Sequence, residues 1–592
     1  MYFYQLKFKN YNITIMKSKL ALLAASVLLL GSCNSDIRLS PGQAYFKSFS
    51  YTGNDPVFEK TRLGDGEIFN PILQGSYSDA SICRKDSDYY MVTANYTFFP
   101  GIPVLHSKDL VNWEQIGYAM STDQQLLNTS LKADQGIFPP TIRYNKNNDT
   151  FYISGTLVGG GGHFIISAKD PAGQWSQPEW LFGLGGVHPS FFFDDNGTSY
   201  IVNQGNPNYE PLYHDYKVIW LQEFDLASMK TKGERKIILA GGHQLEKKPQ
   251  WLETPHIYQK NGKYYLVASE GGSLGNGFST CVYMSDNVWG PYEHYSQNPI
   301  ITQRRLSAGR NEAVTSTGHV DMVEAANGDW WAVFQGVRPY SENNDYNQGR
   351  ETYLYPVAWD GEWPYIIRNG ESLASKIEAP YGAKYDETGQ PFMPYIPHGN
   401  FTYVEHFTSD TLPPQWAHLR TPTSLPIIPN GSEGLIIPLA NNNLRSQRHT
   451  GFVAFRQMHQ YFSAEMEMHF MPVNSTDFAG FAMYLSDQEN FQFGVSIMED
   501  TPALMLQRAA DDSGEIIKED IKSKFLRENF EGRIILRVEC QPGGFTFKYK
   551  FNELDEYETL VDQVPIKYLS VAKSGGFYGV TMGPYASQEE GN

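Results

Sequence analysis

Five times along the chain, an apolar strand, a polar turn and an aromatic strand follow one another in the same order. The copies are "DASICRKDSDYYMVTA" from Asp79, "PPTIRYNKNNDTFYISG" from Pro139, "HPSFFFDDNGTSYIVN" from His188, "TPHIYQKNGKYYLVAS" from Thr254 and "VDMVEAANGDWWAVFQG" from Val320. Asn, Asp and Gly suit tight reversals, and paired aromatics suit strands, so each copy reads as a hairpin. With Ala80, Pro140, Pro189, Pro255 and Asp321 taken as equivalent, the spacings are 60, 49, 66 and 66 residues. Each leaves room for a four-stranded blade and a loop. "VLHSKDLVNWEQIG", "FIISAKDPAGQWSQPEW" and "CVYMSDNVWGPYEHY" follow three of the hairpins with a further strand, a turn and a Trp-bearing strand. Sheets set radially around an axis hide most of their edges, so the repeat predicts a five-bladed β-propeller over 62–380. The alternative is a set of unrelated hairpins in a large β protein, and the shared second half counts against it.

The texture changes after Ala379 to "APYGAKYDETGQPFMPYIPHGN", read as a linker over 381–399. Beyond it, "FSAEMEMHF", "FAGFAMYLS", "NFQFGVSIM", "GRIILRVEC" and "GFTFKYKF" alternate apolar and polar residues at short intervals. They predict a β-sandwich over 400–592, a structural partner with no evident nucleophile and with glycan binding as a second reading. The expected class is therefore all-β. Residues 34–61 read as an N-terminal linker. The four cysteines show no CxxC spacing, which argues against zinc and thioredoxin-like chemistry. From Met16, "MKSKLALLAASVLLLGSC" places two lysines and a short apolar run ahead of Cys33. That pattern resembles a bacterial lipoprotein signal, with the first fifteen residues an unused upstream start. It predicts a signal segment over 1–33, lipidation at Cys33 and a place in the bacterial cell envelope, periplasmic or surface. An ordinary signal peptide cut nearby is the alternative. Lys plus Arg number 47 against 65 Asp plus Glu, a formal charge of -18. This excess argues against a nucleic-acid partner, because phosphates need clustered cations.

At the start of the innermost strands of a propeller, residues distant in sequence converge near the axis. Asp79, His188, Glu253 and His319 all stand there. An Asp and a Glu facing one cavity suit glycosidic bond cleavage, one activating water and the other protonating the leaving oxygen. Any one of them alone would read as a turn or cap residue.

"FNPILQGSYSDASICRKDSDYYMVTANYTFFPGIPVLHSKDLVNWEQIG", "WLETPHIYQKNGKYYLVASEGG", "STGHVDMVEAANGDWWAVFQGVRP" and "QGRETYLYPVAWDGEWP" resemble glycoside hydrolase family 43 over roughly residues 65 to 370. The resemblance implies a propeller followed by a concanavalin-like sandwich, and an exo-acting, inverting β-xylosidase or α-L-arabinofuranosidase on plant-derived oligosaccharides. It makes Asp79 the general base and Glu253 the general acid, with no cofactor required. It places Arg350 on sugar hydroxyls, where the alternative is a surface ion pair with Glu351 or a neighbour. It sets His319 at the channel centre, either beside a structural calcium with its waters or as a hydrogen-bonded core histidine. Phe98, Phe99 and Phe138 are the candidate aromatic sugar contacts, with plain core packing as the other reading for the first two.

Three departures stand out. Relatives carry an aspartate where this chain has His188 in "GVHPSFFFDD". A carboxylate there would favour the protonated form of Glu253, an imidazolium the ionised form, and a neutral imidazole could orient it. "SDAS" and "ETP" replace Pro-Asp-Pro-Ser and Glu-Gly-Pro, and Phe138 and Pro139 stand in place of Trp-Ala. His188 motivates a rival expectation, a catalytically impaired glycan-binding lipoprotein on the same scaffold; keeping Asp79, Glu253 and Arg350 together weighs against it.

Overall fold

The computed structural model describes residues 39–59, 66–126, 130–273, 277–383, 396–422, 426–428, 433–510 and 516–588. Cys33, the 1–33 segment and most of the 381–399 linker lie outside the described residues. Five antiparallel sheets form the blades of a propeller. Their innermost strands are Ser81–Lys85, Gly136–Asn145, Val187–Phe193, Glu253–Lys260 and Thr315–Glu324. Blades 1 to 4 have four or five strands and blade 5 has three. The ring closes where the segment ahead of blade 1 joins the last strand of blade 5: Leu73 bridges Thr352, and Asn70 Nδ2 and Oδ1 bond the backbone of Leu354.

Each innermost strand carries the same irregularity. Register jumps between Phe138 and Thr141, Val187 and Ser190, Glu253 and His256, and Gly318 and Asp321 leave two residues opposite one on the neighbouring strand. In blade 1 the Ala94 N–H to Ser78 carbonyl bond, followed by the Ser81 to Val92 pairing, gives the same count. A bulge of this kind re-aims a side chain. The leading bulge residue is left-handed in four blades, at Asp79 (φ 57°), His188 (56°), Thr254 (53°) and His319 (55°). In blade 2 it is Pro139, whose ring locks φ negative. The bulges also correct the alignment read from sequence: Asp321 matches Ser81, Thr141, Ser190 and His256, so the true equivalent of Ala80 in blade 5 is Val320.

Four of those matched residues, Ser81, Ser190, His256 and Asp321, join with Arg143 in a buried polar network. Ser81 Oγ donates to Asp321 Oδ2 at 2.6 Å and accepts the Ile142 N–H. Arg143 grips both Asp321 oxygens at 2.8 and 2.9 Å and reaches His256 Nδ1 at 2.9 Å. Burial pushes the His256 imidazole down to about 3, so it is neutral and accepts from the guanidinium. The blades are thereby cross-linked by groups that would be costly to leave unpaired.

The sandwich corrects another expectation. Gln43–Gly53, within the segment read as a linker, is a strand inside its seven-stranded sheet, paired with Phe462–His469, Thr402–Glu405 and Leu435–Pro438. Its sequence buries Ala44, Phe46, Phe49 and Tyr51, the pattern of a half-buried strand offset once by a bulge. The chain thus enters the sandwich, builds the propeller and returns. The second sheet has eight strands, and its edge strand Phe98–Phe99 is lent by the propeller, pairing with His418 and Leu419. A buried ionic group fastens the same seam: Arg338 bonds Asp55 at 2.5 Å and Glu351 at 2.7 Å.

Candidate active site

Asp79, at the blade 1 bulge, is 1% exposed, and its carboxylate is held on four sides. Arg350 Nη1 donates to Oδ1 at 2.9 Å, Arg350 Nη2 lies 2.7 Å from Oδ2, Tyr96 donates its hydroxyl to Oδ2 at 2.8 Å, and His319 Nδ1 stands 3.2 Å from Oδ1. Burial alone would push this carboxyl up. The Arg350 guanidinium, with His319 and Tyr96, instead holds it well below the usual carboxylate range. Asp79 is therefore ionised at any pH where the protein would work.

From Asp79 a line of side chains leads to the second carboxylate. His319 faces His188 edge to face, ring centroids 5.9 Å apart, and His188 Nε2 lies 3.4 Å from Glu253 Oε2. His188 Nδ1 has no hydrogen-bond partner among the described residues. The bulges explain the convergence. Asp79, His188 and His319 occupy the same left-handed position in blades 1, 3 and 5, and Glu253 stands one residue ahead of that position in blade 4.

All five of Asp79, His188, Glu253, His319 and Arg350 line one cavity of about 480 Å³, large enough for a saccharide unit. Its aromatic wall is Tyr96, Phe138 and Phe577. Tyr96 and Phe577 lie parallel at 6.0 Å, and Phe138 meets them edge-on at 5.8 and 5.5 Å. Phe577 belongs to the sandwich. Its carbonyl accepts from Arg350 Nη2 at 3.2 Å. This approach requires glycine: a side chain on Gly579 would meet the Gln348 carbonyl at 2.2 Å, and one on Gly349, at φ 81°, the Gly579 nitrogen at 2.7 Å.

Phe98 and Phe99 are not in the cavity. Their backbones extend the sandwich sheet, so Phe98 stacks on Tyr578 at 4.7 Å and Phe99 enters the core between blades 1 and 2. Arg350 pairs with Asp79, while Glu351, the partner weighed from sequence, is taken by Arg338. At His319 the carboxylate within reach, Asp79, is paired with Arg350, and Arg143 holds Asp321 beneath it. Among the described residues no group of three or more His, Cys, Asp or Glu side chains could hold a metal. Sequence reasoning missed Tyr96, Trp251 and Phe577. Tyr96 was within reach, two residues before the Phe98–Phe99 pair, whereas Phe577 carried no local signal.

Residues 68–364 match the description of glycosyl hydrolases family 43. The chain belongs to that family. Residues 404–592 match the β-xylosidase C-terminal concanavalin A-like domain found with family 43 enzymes. A xylosidase/arabinosidase of Butyrivibrio fibrisolvens is 32% identical over 88% of this chain and 95% of its own length. A non-reducing end α-L-arabinofuranosidase of Bacteroides ovatus is 29% identical over 88% and 91%. A solved GH43_12 structure retrieved from capybara gut metagenome aligns with a TM-score of 0.85 at 34% identity, covering 92% of this chain and 99% of its own. As a family 43 protein, the chain is a glycosidase acting on a carbohydrate.

Proposed function

We propose that the protein is an exo-acting, inverting glycosidase that removes terminal α-L-arabinofuranose or β-D-xylose from plant-derived oligosaccharides. The observation that carries this reading is the shared cavity: an ionised, buried Asp79 and Glu253 line one hollow beside an aromatic wall, with room for a sugar. Asp79 accepts the proton of the attacking water, and Glu253 delivers one to the leaving oxygen. The clamp from Arg350 and Tyr96 keeps Asp79 charged and leaves each oxygen a further lone pair for the water proton. Phe577, reaching in from the sandwich beside Tyr96, closes one side of the cavity and supports exo action, since a blocked side accepts a chain end. The names of the relatives support both sugars. A binding protein would gain nothing from an ionised base and an acid in one cavity, so the impaired alternative is disfavoured. Attachment to the cell envelope through Cys33 is proposed on the leader pattern alone.

The test is to incubate the protein with defined arabinosylated and linear xylo-oligosaccharides and follow the first-formed anomer by NMR. Release of a single terminal sugar with inverted configuration is expected. Retained configuration, or release that survives Glu253→Ala, overturns the assignment.

A further inference from the structure

Trp251 lines the same cavity as the two carboxylates, two residues ahead of Glu253, yet 41% of its surface is exposed. Its backbone is left-handed, φ 50°, a costly state for a bulky side chain, and one that persists only where the surroundings impose it. The imposing contacts are visible. The Trp251 N–H donates to the Asp215 carbonyl at 3.1 Å, and Lys217 sets its ammonium 4.7 Å from the ring centre while donating to Asn206 at 2.7 Å. Tyr213 fixes the adjoining loop by donating to the Pro249 carbonyl at 2.7 Å. The indole is thus a fixed, solvent-facing plate at the mouth.

It is not isolated. Twelve large hydrophobic residues are conspicuously exposed among the described residues, and four of them cluster in two loops: Tyr209 and Leu212 between the second and third strands of blade 3, and Leu245 and Trp251 on the connection from blade 3 to blade 4. Tyr209 bonds Tyr216 through their hydroxyls, and Leu245 and Tyr216 both crowd Gly241, so these side chains share one neighbourhood. Scattered apolar residues need no explanation, whereas a concentrated strip beside a substrate cavity marks a contact surface.

We infer that Trp251 and the strip beside it form the platform for the leaving group, and that the group they take is a pyranose chain. This inference rests on the glycosidase reading above. The terminal sugar fills the cage over Asp79, and Glu253 must reach the oxygen that joins it to the rest of the chain. The next residue therefore lies on the Glu253 side, where Trp251 stands. A flat, apolar indole face matches the C–H face of a pyranose ring better than a puckered furanose. Contacts made there, away from the reacting carbon, favour oligomeric over minimal substrates.

The experiment compares kcat/KM for three substrates: the glycosyl fluoride of the released sugar, which has no leaving-group sugar, the same sugar on a xylo-oligosaccharide, and the same sugar on an arabinofuranose oligosaccharide. Trp251→Ala is expected to lower the ratio of xylo-oligosaccharide to fluoride about tenfold, the weight of one good apolar contact. Trp251→Tyr is expected to recover most of that ratio, and the furanose oligosaccharide to change least. Equal losses on all three substrates would show a merely structural tryptophan and overturn the platform. A larger loss on the furanose oligosaccharide would overturn the pyranose assignment. Wild-type protein that turns over none of the three would instead sink the glycosidase reading, and the platform with it.

Discussion

Replacing Arg350 by Met isolates the interaction that fixes Asp79, the proposed base. Arg350 is 2% exposed and Asp79 1%, so removing the guanidinium strands a carboxylate in a site where burial opposes its charge. Losing one partner of such a pair costs about 3–5 kcal/mol. The sign of its pH dependence follows from linkage. In the wild type, Asp79 titrates well below its unfolded value. The pair's stabilisation is therefore complete above the ordinary carboxylate range and is lost only as pH falls through the depressed folded value. In Arg350→Met the guanidinium no longer offsets burial, and the carboxyl is pushed up. The protonated form is then favoured in the fold, and the penalty grows as pH rises. Equilibrium unfolding in urea at pH 5 and pH 8 should show the larger deficit at pH 8. The double variant Asp79→Asn/Arg350→Met, which carries no buried charge at either position, should regain part of it. A deficit identical at both pH values, or a double variant no more stable than the single one at pH 8, would refute the reasoning.

Asp79→Asn and Glu253→Gln should each reduce kcat on an oligosaccharide by roughly 10²–10⁴-fold, with unfolding curves reported alongside to separate chemistry from folding. Phe577→Ala should lower kcat/KM about tenfold, close to 1.4 kcal/mol, and an unchanged value would remove the sandwich from the site. His188→Asp places a negative charge beside Glu253 in place of an imidazole, which favours a protonated donor; the basic limb of the pH–rate profile should move to higher pH, and an unmoved limb would show the two groups uncoupled. Arg143→Met should cost several kcal/mol by stranding Asp321 on the propeller axis, measurable as a lowered urea midpoint.

Much of this was legible in the sequence because it was repeated. Five hairpins of one texture gave the ring, and the ionisable residues at their starts gave Asp79, His188, Glu253 and His319, all of which line the cavity. The one-residue error in blade 5 arose because Val320 stands where blades 2 to 4 carry the marker prolines Pro140, Pro189 and Pro255. What escaped was long-range. Phe98 and Phe99 look like any strand aromatics until His418 and Leu419 arrive to pair with them. Phe577 reaches the site only because Gly349 and Gly579 let two backbones touch. The stretch holding Gln43–Gly53 reads as a linker in sequence because its partners lie far along the chain.

That last pairing has a bearing on biogenesis. Phe49 pairs with Glu405 on one side and Met466 on the other, so the first strand among the described residues has to wait for roughly 350 to 420 further residues before its neighbours exist. Throughout that delay an unpaired β segment rich in aromatics is open to aggregation. A cut between the two halves would take an interior strand from the sandwich and would strip Phe577 from the cavity of the propeller.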